Sequence, residues 1–140
     1  CVARRELRRV HQFVTFSVST PTQLALADVL EADPADAHAR GLAPFYQAKR
    51  DFFLSQVKDS RFTWQASHGT YFVSAGYAHL AEFAHMSDTD FAQHLARKVG
   101  VVCIPLSAFY HEAVDHKMVR FCFAKLETTL SAAAYRIAQA

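Results

Sequence analysis

An α+β domain, with a small mixed sheet covered by helices, is the fold that these 140 residues predict. Helical apolar spacing dominates the first part of the chain, strand-like runs alternate with helices in the rest, and one pair of runs reads as a hairpin. With 51% hydrophobic and 13% aromatic residues, the chain has the means to bury a proper core. No internal repeat and no low-complexity tract interrupts it.

Ala3 to about His11 reads as a basic helix whose Arg4, Arg5, Arg8 and Arg9 form one solvated face. Phe13-Val14-Thr15-Phe16-Ser17-Val18 follows, too apolar for an exposed linker and placed outside regular helix, so it should pack or touch a partner. Thr20-Pro21-Thr22-Gln23 starts the next helix: Thr20 as cap, Pro21 in the first turn, Gln23 closing a capping box, with an end near Glu31 and a stop at Asp33-Pro34. From about Pro44 to Val57 a further helix carries Phe45, Ala48 and Phe52 on one stripe, with Tyr46, Phe53 and Val57 beside it.

Arg61–Gln65 and Thr70–Ala75 then predict two strands joined by a turn at Ser67-His68-Gly69, with Tyr71, Val73 and Ala75 on one face. Ser87 caps a helix through Phe91, Ala92 and Leu95, Gly100 stops it, and Val101–Ile104 forms a short strand ended by Pro105. A loop from Leu106 to about His116 leads to the strand Met118–Ala124. Leu126, Leu130, Ala134 and Ile137 mark a closing helix.

Fifteen Lys and Arg against 13 Asp and Glu give a formal charge of +2, which makes no electrostatic case for nucleic acid or an anionic membrane. No run approaches the roughly 18 apolar residues of a membrane span, and the start has no signal-peptide layout. Three cysteines cannot all pair. Cys103 and Cys122 sit in apolar runs where cysteine behaves as a small hydrophobe, so a reducing, cytoplasmic setting is expected. Opening on Cys1, the chain reads as cut from something longer.

Nucleophilic and metal chemistry find little support. His111 and His116 are five apart, which turns the second off the helical face that a zinc-protease pair shares, and His79, His85 and His94 follow no ligand interval. Ser107 lies in no nucleophile elbow, and neither Cys103 nor Cys122 has an exposed electropositive setting. Gly41, Gly69, Gly76 and Gly100 are isolated, so no phosphate-cradling loop exists.

Arg120 stands apart, because it interrupts the apolar run Met118-Val119-Arg120-Phe121-Cys122-Phe123-Ala124. A partly buried guanidinium asks for a carboxylate or phosphate. The same alternation also suits an arginine pointing to solvent from a half-buried strand, since Met118, Arg120, Cys122 and Ala124 share one face.

Five segments together resemble the class I/II aminotransferases, fold type I pyridoxal-phosphate enzymes, and within them the methionine and kynurenine (glutamine-type) branch. They are His11-Gln12-Phe13 through Phe16, Thr20 through Ala27, Gly69-Thr70-Tyr71-Phe72, Ile104 through Tyr110, and Val119 through Lys125. The resemblance covers essentially the whole chain but only the C-terminal part of such an enzyme. It implies that residues 1–40 end the large domain and form the interdomain helix, and that residues 41–140 are the small C-terminal domain.

The resemblance further implies pyridoxal 5′-phosphate as cofactor, bound to a lysine ahead of the position matched by Cys1. None of Lys49, Lys58, Lys98, Lys117 and Lys125 takes that role. Arg120 matches the arginine that clamps the substrate α-carboxylate. Phe16 matches an aromatic that reaches into the neighbouring subunit's pocket, with ordinary core packing as its alternative, and Phe109 lines the pocket near Arg120. Tyr71, Phe72 and Gly69 support the sheet. No residue here is assigned to catalysis, cofactor binding or metal.

The implied activity is amino-group exchange between a sulfur or aromatic amino acid and a 2-oxo acid, in a homodimer with no nucleic-acid or membrane partner; the fragment alone is expected to be inactive. A pyridoxal-phosphate carbon-sulfur β-lyase would keep the same arginine, and a free-standing carboxylate-binding module would also lack the lysine.

Overall fold

The structure, a computed structural model, describes residues 2–33, 36–112 and 114–140. Cys1, Pro34 and Ala113, used above as chain start, helix stop and part of the His111–His116 segment, lie outside the described residues. The chain forms two compact units, Cys1–Gly41 and Leu42–Ala140.

In the first unit, helix α1 (Val2–Thr15) continues past His11 through Phe13, Val14 and Thr15, so only Phe16–Ser19 lies outside regular helix. It stops where Phe16 takes a left-handed backbone, φ 42°, a conformation that ends helices. Arg4, Arg5, Arg8 and Arg9, one turn apart in pairs, are all exposed, as are Leu7, Val10, Phe13, Val14 and Phe16.

Helix α2 (Thr20–Ala32) has Ser19, not Thr20, at its cap position, and Ser19 makes no side-chain capping bond. Gln23 reaches back instead, its Nε2 donating to the Val18 carbonyl at 3.0 Å, so the predicted capping box on Thr20 does not form. No residue of α2 is buried.

Helix α3 (Ala37–Val57) begins at Ala37 rather than near Pro44, which sits inside it. The Asp33 carboxylate explains the early start, because it accepts from the N–H groups of Ala37 at 2.9 Å and His38 at 2.8 Å. These bonds satisfy donors that a helix start leaves orphaned, and they hold the Asp33 carboxyl below its ordinary pKa. Pro44 removes one interior hydrogen bond, which the long helix tolerates.

In the second unit α3 buries Phe53 and Val57 and partly buries Tyr46 and Phe52, while Phe45 stays half exposed. Strands β1 (Thr63–Gln65) and β2 (Phe72–Gly76) form the expected hairpin. Helix α4 (Asp88–His94) is capped by Ser87, whose Oγ accepts from the Asp90 N–H at 3.1 Å. It passes into a π-helical turn, Leu95–Val99, which ends at Gly100 with φ 72°. A Cβ there would be strained by its backbone and sit 3.1 Å from the Arg136 guanidinium.

Strand β3 is only Ile104–Pro105, shorter than the predicted Val101–Ile104, and Pro105 belongs to it. Val101 and Cys103 alternate inward but bond to no neighbouring strand. Strand β4 (Met118–Cys122) ends two residues before Ala124, and helix α5 (Glu127–Ala138) starts after an exposed Leu126.

The sheet order is β1-β2-β4-β3, and every pairing is antiparallel. Partners Val73↔Phe121 and Ala75↔Val119 face the core, whereas Phe72↔Cys122 and Ser74↔Arg120 face away from it. Helical residues Phe53, Val57, Phe91, Leu95, Leu130, Ala134 and Ile137 close over the inner face in one hydrophobic cluster. Phe91 stacks on Tyr77 with ring centroids 3.9 Å apart.

Phe91→Ala should cost about 3–5 kcal/mol, the usual penalty for emptying a fully buried phenylalanine site, read as a lower urea midpoint with unchanged slope.

Asp115 generates a pH prediction. Desolvation pushes its carboxyl up, but bonds from the Lys117 side chain and backbone and from the Asp88 N–H outweigh this and hold it below the ordinary value. A group depressed on folding contributes stability above its unfolded pKa and loses it as pH falls through the lower native value. Asp115→Asn should therefore flatten the acid side of a stability-versus-pH curve while leaving its neutral-to-basic shape unchanged.

Candidate functional site

The outer face of the sheet carries the candidate site. Strand alternation projects Arg120 from the middle of β4, with Ser74 on one side and Ile104 on the other. That placement is the solvent-facing alternative of the sequence reading, yet the guanidinium does not swing free. The Arg120 Cζ lies 4.1 Å from the centroid of the Phe72 ring and 4.3 Å from that of Phe109. Such contacts contribute about 0.5–2 kcal/mol each, depending on how far water is excluded.

Phe72 reaches Arg120 because it is the diagonal neighbour on the same face, two residues from Ser74. Phe109 arrives by another route. After Pro105 the chain makes a 3-10 turn, Leu106–Phe109, with one closing bond from the Tyr110 N–H to the Ser107 carbonyl. The Asp88 carboxylate holds that turn, accepting from the Ser107 N–H and the Ser107 Oγ, both at 2.7 Å.

Among the described residues, no carboxylate pairs with Arg120 and no side-chain hydrogen bond occupies it. Its donors are therefore available to an incoming anion, which a planar guanidinium can bind through two parallel bonds. A cavity of about 510 Å³ adjoins it where the β3–β4 ladder stops, lined among others by Phe72, Ile104, Arg120, Cys122 and Lys125.

The structure brings together Arg120 and Phe109 of the predicted site. Phe16 belongs to the first unit, where it is strongly exposed. Phe72, read as sheet support, proves to be the ring nearest the guanidinium. Its signal was the period-two alternation, which shows a shared face only once the β2–β4 register is known. Asp88 and Ser107 carried no sequence signal beyond a helix first turn and a loop serine.

The two described thiols differ. Cys103 is buried, and that burial pushes its pKa up to about 12. Cys122 is exposed on the outer face that also carries Arg120, so the apolar run around it does not make it the small buried hydrophobe expected there. Lys117 is engaged by Asp115 and the Met86 carbonyl, and Lys49 by the Lys125 carbonyl. The described residues include no group of three or more His, Cys, Asp or Glu that could hold a metal, and no helix long and apolar enough to cross a membrane.

Known proteins share this sequence and arrangement. The family model for aminotransferase class I and II matches residues 1–137. The methionine aminotransferase of Escherichia coli (strain K12) is 45% identical over 134 residues, covering 96% of this chain and 33% of that protein. Kynurenine–oxoglutarate transaminase of Dictyostelium discoideum is 34% identical, covering 91% and 33%. Among solved structures, an Escherichia coli protein identified as having a methionine aminotransferase function superposes with TM-score 0.79 at 44% identity, over 97% of this chain and 34% of that one. N-succinyldiaminopimelate aminotransferase of Mycobacterium tuberculosis gives 0.73 at 33% identity, over 91% and 32%. The chain thus spans about a third of the length of the relatives it matches. A family match along nearly the whole chain, with the same fold in relatives of this identity, makes it a member of the class I and II aminotransferases.

Proposed function

We propose that this chain supplies the carboxylate-binding part of a pyridoxal-phosphate-dependent aminotransferase, which moves an amino group between a sulfur or aromatic amino acid and a 2-oxo acid. The observation that carries the reading is Arg120: a guanidinium fixed against two rings, with no protein carboxylate on it among the described residues, in a member of this family. The similarity to a methionine aminotransferase and a kynurenine transaminase supports the sulfur or aromatic preference.

Members of the family use pyridoxal 5′-phosphate. In this reading the lysine that holds it lies outside this chain; Lys49 and Lys117 are bonded to protein groups, and the isolated glycines offer no glycine-rich loop for its phosphate. The chain's part in this reading is to bind and orient substrate. A two-point grip on the α-carboxylate fixes where the α-carbon lies, while the flanking rings keep the guanidinium from rotating away.

Residues 1–40 end the large domain and residues 41–140 form the small domain in this reading. Phe16 reaches the pocket of a second subunit in a homodimer. The exposed apolar residues of α1 and α2, Leu7, Val10, Phe13, Leu24 and Val29 among them, support a larger assembly. Without the remaining two thirds of such an enzyme, the chain alone is inactive.

In the full-length, cofactor-loaded enzyme, Arg120→Ala should lower kcat/KM for amino-acid donors by about 100-fold, the equivalent of losing about 3 kcal/mol of charge-assisted bonding. Arg120→Lys should recover only part, because an ammonium keeps the charge without the planar fork. Unchanged kcat/KM in Arg120→Ala would sink the clamp. Product analysis decides the reaction: a new 2-oxo acid and a new amino acid in equal amounts mean transamination, whereas pyruvate with ammonia means a lyase.

A further inference from the structure

Asp88 is the one charged side chain buried among the described residues, with 1% of its surface exposed. A buried carboxylate costs stability unless hydrogen bonds compensate it, so its partners show what it is there to hold. Both of its oxygens are spent on a single residue, Ser107: one accepts the backbone N–H, the other the hydroxyl, each at 2.7 Å. Fixing main chain and side chain of one residue together leaves the turn that carries it little freedom.

That turn needs such a hold. Leu106–Phe109 is a single 3-10 turn, a geometry with poor internal bonding. Phe109 is more than half exposed, so packing does little to place it. Yet its ring lies 4.3 Å from the Arg120 Cζ.

The strand bearing Arg120 is tied to the same point. The Asp88 N–H donates to the Asp115 carboxylate at 3.2 Å, and that carboxylate accepts from the Lys117 N–H at 2.7 Å and pairs with the Lys117 ammonium at 2.9 Å. Lys117 immediately precedes β4 and takes a left-handed backbone, φ 56°. One helix start thus fixes both the residue two before Phe109 and the residue three before Arg120.

We propose that Asp88 is a positioning residue for carboxylate recognition: through Ser107 it sets the Phe109 ring against the Arg120 guanidinium and so fixes the direction in which the guanidinium presents its donors. This rests on the reading of Arg120 as the carboxylate clamp. Asp88 itself does not touch substrate. Its role is one of hydrogen-bond geometry rather than charge, because an asparagine can accept from the Ser107 N–H and donate to the Ser107 Oγ in the same arrangement.

The test is a mutant cycle in the full-length, cofactor-loaded enzyme, with the dissociation constant of the unreactive acid 3-phenylpropanoate as the reading. The second reading is the NMR position of the Arg120 Nε–H proton, which the Phe109 ring current shifts. Phe109→Ala and Asp88→Ala should each weaken binding by about tenfold. The double variant should also lose about tenfold rather than about a hundredfold, because both changes remove one contact. Asp88→Asn should bind like the wild type, and the Nε–H signal of Asp88→Ala should move to where Phe109→Ala puts it.

Effects that multiply in the double variant, or an Asp88→Ala enzyme with wild-type affinity and wild-type Nε–H position, would overturn the proposal. So would an Asp88→Asn enzyme as impaired as Asp88→Ala. If Asp88→Ala fails to fold, Asp88→Ser, whose single short hydroxyl cannot bond both Ser107 groups, replaces it: a shift of the Nε–H signal toward the Phe109→Ala position supports the tether, and no shift refutes it. A wild-type enzyme that does not bind the acid would refute the clamp reading of Arg120, and the tether is then judged on the Nε–H signal alone.

Discussion

The register between β2 and β4 is the constraint on which the second unit depends. Five consecutive pairs, from Phe72↔Cys122 to Gly76↔Met118, set which side chains enter the core. With this register Val73, Ala75, Val119 and Phe121 are buried together, and Arg120 is placed outside them. A slip of one residue would drive the guanidinium into the hydrophobic cluster and expose two phenylalanines. The apolar gain from the inner face therefore also fixes where a cation can present itself. Core and candidate site share one determinant.

The structure places several of its charges at joints. Asp33 begins α3 by accepting two orphan N–H groups. Asp88 and Asp115 meet at the start of α4 and hold the 3-10 turn and the entry to β4. Arg136 reaches the Gly100 carbonyl at 3.0 Å, where the π-helical turn ends. In each case a side chain meets backbone groups that regular structure leaves unpaired, so irregular segments acquire fixed positions without joining a ladder. Arg120 differs in that its neighbours are rings, which orient the guanidinium without neutralising it.

The first unit has another character. Its helices carry Leu7, Val10, Phe13, Leu24, Val29 and Leu30 on exposed surface, and α2 buries nothing. Apolar residues at this density are the material of a packed interior. The chain spans about a third of the length of the relatives it matches.

Much of the second unit was legible in the sequence. The hairpin turn at Ser67-His68-Gly69, the Ser87 cap, the Gly100 stop and the Leu130-Ala134-Ile137 stripe all announce themselves through local chemistry, because each solves a problem within a few residues. Boundaries differed at several elements. Helix α3 starts early because Asp33 folds back onto it, β3 pairs with β4 over only two residues, and α1 runs on until Phe16 breaks it. Sequence alone determined the α+β class and the family, and it singled out Arg120 as a cation within an apolar run, since alternation and motif order are written along the chain. Only tertiary structure decided which rings lie against the guanidinium, Phe72 among them, and that Asp88 bonds to the turn carrying Phe109. Those contacts join residues 11 to 48 positions apart across a strand register and a turn, and pattern within a few residues carries no record of them.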